Sequence, residues 1–83
     1  MPGIDAVLET RGGTHGVFEE SAITVQRLKY EMRQAPNWKS LSAAQKEALE
    51  MTQHKIGRIL HGDPNFADHW VDAQGYLKLA EPK

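Results

Sequence analysis

Lys55, Asp68, Asp72 and Tyr76 are the residues of this chain whose types and spacing best suit chemistry. They fall within the stretch from Glu47 to Tyr76, which reads as two amphipathic helices joined by a Gly62-Asp63-Pro64 turn. Asp68, Asp72 and Tyr76 follow one another at helical i, i+4 spacing, so they can converge along one side. Lys55 borders the apolar stripe of the preceding helix, and Lys29 borders that of the second helix. A charge beside a core is costly unless it is paired. Asp72 is the expected partner of these lysines, with Asp68 as a further carboxylate and Tyr76 as a hydroxyl. Three uses stay open: a salt bridge that fixes helix register, a phosphate or other anion held by Lys55 with Lys29 or Arg58, or a lysine that merely snorkels to water.

The carboxylates suggest a second chemistry. Glu47-x-x-Glu50 with Asp68-x-x-x-Asp72 is the donor set of a magnesium site between antiparallel helices, suited to nucleotide pyrophosphate hydrolysis. At 100° per residue, however, Glu47 and Glu50 point away from the Ala48/Thr52/Ile56 stripe and should face solvent within one subunit. Only a second subunit over that face would complete the set, so no metal or other cofactor is expected, and magnesium belongs to the enzyme alternative alone.

His54, Arg58 and His61 share a polar face, and an arginine among them argues against zinc. His69 lies three residues before Asp72, as a boundary histidine that the carboxylate can orient. His15 stands in the glycine-rich segment Gly12-Gly13-Thr14-His15-Gly16 and is a candidate ligand contact. Nucleophilic catalysis has no foothold: there is no cysteine, and Ser21, Ser40 and Ser42 have no histidine–aspartate setting. No phosphate-binding glycine motif of the Walker or dinucleotide type occurs.

Four segments must position these groups. Ile4 to Arg11 is expected as a short helix stopped by Gly12 and Gly13, with a glycine-rich loop closing residues 1–16. A helix over 17–34 carries Phe18, Ala22, Val25, Leu28 and Met32 on its core face, and Ala35-Pro36 ends it. Ile23 and Tyr30 form a separate apolar pair on its far side and predict self-association there, unless the first helix covers them. Trp38 and Leu41 fold back as lids. Ser42-Ala43-Ala44-Gln45 is a capping box that opens a helix over 43–61, capped at its end by Gly62. A helix over 65–80, started by Asp63-Pro64 or by Asn65, repeats Phe66, Trp70, Ala73, Leu77 and Ala80. Gly57 and Gly75 inside helices point to close helix approach. The class is all-α: a compact bundle of three main helices with a short N-terminal one, in a single domain over 1–83.

Eighty-three residues without a cysteine form a small core and no disulfide, which favours self-association. Ten basic and eleven acidic residues give a net charge of −1 and no general pull toward nucleic acid or anionic membrane, despite Arg27, Lys29 and Arg33 on one helix. There is no apolar span or basic-then-apolar leader, so the expected setting is the cytoplasm.

The chain resembles a family of short helical proteins of phages and prophages. The resemblance runs from about Arg11 to Ala80. It rests on Arg11-Gly12 with Gly16-x-Phe18, on Gln45-x-Glu47-Ala48-Leu49-x-Met51 leading to Lys55-Ile56-x-Arg58-Ile59, and on Gly62-Asp63-Pro64, Asp68-x-Trp70-x-Asp72 and Gly75-Tyr76. Through that family it is distantly similar to phage nucleotide-modification-associated domains and to MazG-like nucleotide pyrophosphohydrolases. It departs from their pattern in two places: Asp68 and Asp72 are four apart where Glu-x-x-Asp is the rule, and His15 replaces a tyrosine. The resemblance implies a phage origin and a nucleotide-related ligand. The candidate ligand-binding set is therefore Arg11, His15, Lys29, Lys55, Arg58, Asp68, Asp72 and Tyr76. The expected function is binding of a nucleotide or other phosphate-bearing ligand; the alternatives are a module that inhibits or adapts a host enzyme, and a magnesium-dependent pyrophosphohydrolase.

Overall fold

The capping box forms as its spacing predicts. Ser42 Oγ accepts the Gln45 backbone N–H at 3.1 Å, and Gln45 Oε1 accepts that of Ser42 at 3.0 Å. Two otherwise orphaned donors are satisfied there, and helix α3 runs from Ala43–His61. In the computed structural model, which describes residues 3–83, α3 is the central member of an all-α bundle. The other helices are α1 (Ile4–His15), α2 (Phe18–Gln34) and α4 (Ala67–Ala80), with a single 3₁₀ turn at Trp38–Ser40. Trp38 and Leu41 both lie half-buried at this turn, with Lys46 Nζ 5.8 Å from the Trp38 ring.

α3 packs against α2 on one side and α4 on the other. Gly57 makes the first interface possible: a methyl placed there would stand 2.6 Å from Ser21 Oγ and from Val25 Cγ2. The backbones approach because no side chain intervenes. Gly75 does not play the expected part. It is exposed, and nothing lies near where its side chain would be.

Helix limits differ from expectation at two points. α1 does not stop at Gly12; it continues through both glycines to His15 and turns at Gly16, whose φ is +83°. Glycine weakens a helix by about 1 kcal/mol without forbidding it, and here tertiary bonds hold the helix end. The Thr14 carbonyl accepts the Asp63 backbone N–H at 2.9 Å. A side chain at Gly16 would run into the His61 carbonyl, and one at Gly62 into that of Thr14. His15 is thus the last residue of a helix, not part of a loop. α4 starts at Ala67, later than expected, because Asp63 Oδ1 accepts the Asn65 N–H at 2.9 Å in a turn and leaves the helix uncapped by any side chain.

The buried faces also depart from the apolar stripes. On α2 the buried residues are Ser21, Val25 and Lys29, while Phe18 at the helix start is exposed. On α4 the deepest residue is His69, with Ala73, Tyr76 and Ala80 half-buried behind it; Trp70 and Leu77 lie at the exposed flank. Leu60, which continues the apolar stripe of Ala48, Leu49, Thr52, Ile56 and Ile59 expected on α3, is likewise outside. One enclosed group lacks a partner among the described residues: Gln53 Oε1, whose amide nitrogen meets only the Met32 sulfur, at 3.5 Å. An unpaired enclosed carbonyl costs about 1–3 kcal/mol. Gln53→Met, close in volume and free of that oxygen, should therefore raise stability by about 1 kcal/mol in chemical denaturation.

Candidate functional site

α1 ends where α3 ends and α4 begins, and the Thr14 carbonyl is held at this junction by the Asp63 backbone N–H and by His69. His69 is its centre. It is 1% exposed, and its Nε2 lies 2.9 Å from the Thr14 carbonyl. A carbonyl only accepts, so His69 carries its proton on Nε2. His15 stacks edge-on against it with ring centroids 4.8 Å apart, and Phe66 does the same at 4.9 Å, the three rings forming one cluster with His15 and Phe66 6.1 Å apart. His15 Nδ1 meets Thr14 Oγ1 at 2.6 Å.

The α2–α3 interface is polar where the sequence reading placed an exposed face. His54 and His61 both turn toward α2. His61 Nε2 meets Thr24 Oγ1 at 2.6 Å, and His54 Nε2 meets Lys29 Nζ at 3.0 Å. An ammonium only donates, so His54 accepts on Nε2 and is neutral. The partner of Lys29 is therefore this histidine, not Asp72. At the far end, Arg33 reaches Glu50 Oε1 with Nη2 at 2.6 Å.

Lys55 is buried, and its ammonium lies 2.9 Å from Asp72 Oδ2. The hydrogen bond from Lys55 holds the Asp72 carboxyl below the usual carboxylate range. Burial opposes it as the next largest effect, and the Lys55 charge, His69 and Arg58 add smaller effects in the lowering direction. Asp68 and Tyr76 do not join the pair: among the described residues neither makes a side-chain hydrogen bond or ion pair. The four carboxylates do not converge either. Glu47 is exposed, Glu50 faces α2 in its bond to Arg33, and Asp72 belongs to α4 on the other side of α3. No group of three or more metal-capable side chains forms among the described residues, so the residues of one copy do not fit the magnesium site.

What does form is a cleft of about 610 Å³ between α1, α2 and α3. Its apolar wall is Leu8, Val17, Phe18 and Val25, and its polar wall is Arg11, His15, His54 and Arg58, with no carboxylate in the lining. The field there is positive. Burial pushes the His15 imidazole below its ordinary value, and the charges of Arg58, His69, Lys55 and Arg11 push it further. His54 is lowered by burial and then by Lys29 and Arg58, with Glu50 and Glu47 opposing. Of the candidate set, Arg11, His15 and Arg58 thus share the cleft. Lys29 reaches it through His54, Lys55 and Asp72 stand behind it, and Asp68 and Tyr76 lie apart. The sequence reading missed His54 as a wall residue and Phe18 as part of the cleft; the available signal was the polar stripe Ser21, Thr24, Lys29 on α2, which matches His54 and His61.

Neither protein-family models, nor curated proteins, nor solved structures give a match to this chain. Among the described residues no helix is long and apolar enough to cross a membrane.

Proposed function

We propose that the chain binds a phosphate-bearing small molecule, a nucleotide in the first instance, in the cleft between α1, α2 and α3. The observation that carries this reading is the cleft's lining: two arginines and two histidines, and no carboxylate, facing an apolar wall. Its volume falls in the range of small-molecule sites. An anionic group placed between Arg58 and Arg11 gains charge-assisted hydrogen bonds from both guanidinium groups. A base or other flat apolar body rests against Phe18, Val17 and Leu8. Lys55 adds positive potential from behind, while its own charge stays anchored on Asp72. No bond is made or broken in this scheme. The scheme uses only the charged donors and the apolar surface of the cleft.

Isothermal titration with nucleoside mono-, di- and triphosphates and with inorganic pyrophosphate, each with and without Mg²⁺, tests this reading. Arg58→Gln removes a charged donor worth about 1.5–3 kcal/mol, so affinity should fall about 10- to 100-fold while the fold remains intact by circular dichroism. The pH dependence has a fixed sign. The pKa values of His15 and His54 are lowered in the free protein by burial and by the neighbouring cations, and a bound anion raises them again. Binding therefore takes up protons and should tighten as pH falls from about 7.5 to 6. No heat with any phosphate compound, or an affinity unchanged in Arg58→Gln, would remove the proposal.

A further inference from the structure

We infer that the face of the helical layer opposite the cleft pairs with a second copy of this chain. The cleft and α1 lie on one side of the layer α2–α3–α4. On the other side α3 presents Leu49, Ile56 and Leu60, which share one helical face between the sides it gives to α2 and to α4. α4 adds Trp70 and Leu77, seven residues apart; Leu77 lines a groove of about 220 Å³ together with Leu49 and Leu41. α2 contributes Leu28 and Met32, the latter in contact with Gln53. Leu60 is 62% exposed, Trp70 51% and Leu77 45%. The groove is completed by Gln45, Ala48, Ala80 and Glu81, so its lining is mainly apolar with one charge. Depletion of charge is the composition of the core of a protein interface.

The occupant follows from what one copy lacks. Val25 and Ala48 are the buried hydrophobic residues of the described chain, and no disulfide supplements them. Domains are built from at least two packed layers around a core; α1 packs on one side of the α2–α3–α4 layer and leaves its other face without a partner. The chain exposes 6264 Å², whereas a folded monomer of its 9.3 kDa exposes about 5,000 Å². The excess of about 1,300 Å² per chain exceeds the roughly 800 Å² per partner of a standard interface, and doubled it falls in the range of permanent homodimers. Two identical apolar layers related by a two-fold axis close on each other, with each copy covering the same patch of its mate. This pairing leaves both cationic clefts open on the outside, and it does not depend on what they bind. It also differs from the surface expected from sequence: Ile23 and Tyr30 lie on the outer edge of α2, away from this face.

Light scattering behind size-exclusion chromatography, from about 1 to 500 µM, should give twice the chain mass for wild type. The melting temperature should rise with concentration, as mass action requires of a folded dimer. Leu60→Glu and Leu77→Glu, both at sites exposed in one copy, should weaken pairing at least about 100-fold, as truncation at the centre of an interface does. Ile23→Glu should leave the mass unchanged. If both interface variants unfold, the wild-type concentration series decides: a melting temperature independent of concentration overturns the inference. A helical wild type that stays monomeric throughout overturns it as well, and so does dissociation by Ile23→Glu alone.

Discussion

Gly57→Val should unfold the chain. The methyl of alanine would already stand 2.6 Å from Ser21 Oγ and Val25 Cγ2, well inside van der Waals contact. Valine adds two more carbons with a restricted χ1. Ser21 and Val25 are themselves buried on α2, and the two clashing atoms belong to short side chains with little freedom to turn away. α2 and α3 must separate instead, and the polar links between them go together: Thr24 with His61, Lys29 with His54 and Arg33 with Glu50. Overpacking typically costs about 1–3 kcal/mol and more where the backbone must move. A chain of this size has only about 4–12 kcal/mol of total stability. Gly75→Ala is the internal control. It is also a helical glycine, but with open space around it, so alanine should stabilise by up to about 1 kcal/mol. Thermal melts of the two variants separate the packing effect from helix propensity. A Gly57→Val protein that melts like wild type would show that α2 does not sit on α3 as described.

The same interface explains which features were legible in the sequence. α3 could be read to its ends because the signals were local: a capping box at Ser42 and Gln45, and a glycine after His61. The all-α class followed from periodicity alone. The extent of α1 could not be read, since the helix survives Gly12 and Gly13 through bonds from Asp63 and His69, which lie far along the chain. The buried faces of α2 and α4 were misjudged for a related reason. A helical wheel ranks faces by apolarity, yet α2 meets α3 through Ser21, Thr24 and Lys29, and α4 is anchored by His69. A polar side chain is buried only where another element supplies its partner, and that information is split between two segments. Phe18 and Trp70 were placed inside by the same logic, and both are left outside. The site shared this fate. Lys55 and Asp72 could be paired from spacing, but the cleft depends on α1 reaching His15 as a helix, which the glycines concealed.

The Lys55–Asp72 pair itself should respond unevenly to mutation. Spacing alone suggests two buried charges, each destabilising when left without the other. The structure shows one: the Lys55 side chain is 9% exposed, whereas that of Asp72 is 48% exposed. Lys55→Met removes the buried charge, fills its place with an unbranched apolar chain, and leaves Asp72 hydrated. Its stability should stay within about 1 kcal/mol of wild type. Asp72→Asn leaves a buried ammonium without its counter-charge and should be clearly the more damaging change. Lys55→Met combined with Asp72→Asn should melt where Lys55→Met alone does. Acidity provides a second readout. The folded-state pKa of Asp72 is depressed, so its contribution is present above the unfolded value of about 3.9 and is lost as pH falls through the lower folded value. The gap in melting temperature between wild type and Asp72→Asn should therefore be full at neutral pH and close below about pH 4. Equal damage from the two single variants would mean that the carboxylate is as buried as the lysine. A gap that persists at low pH would mean that Asp72 acts through its shape and not its charge.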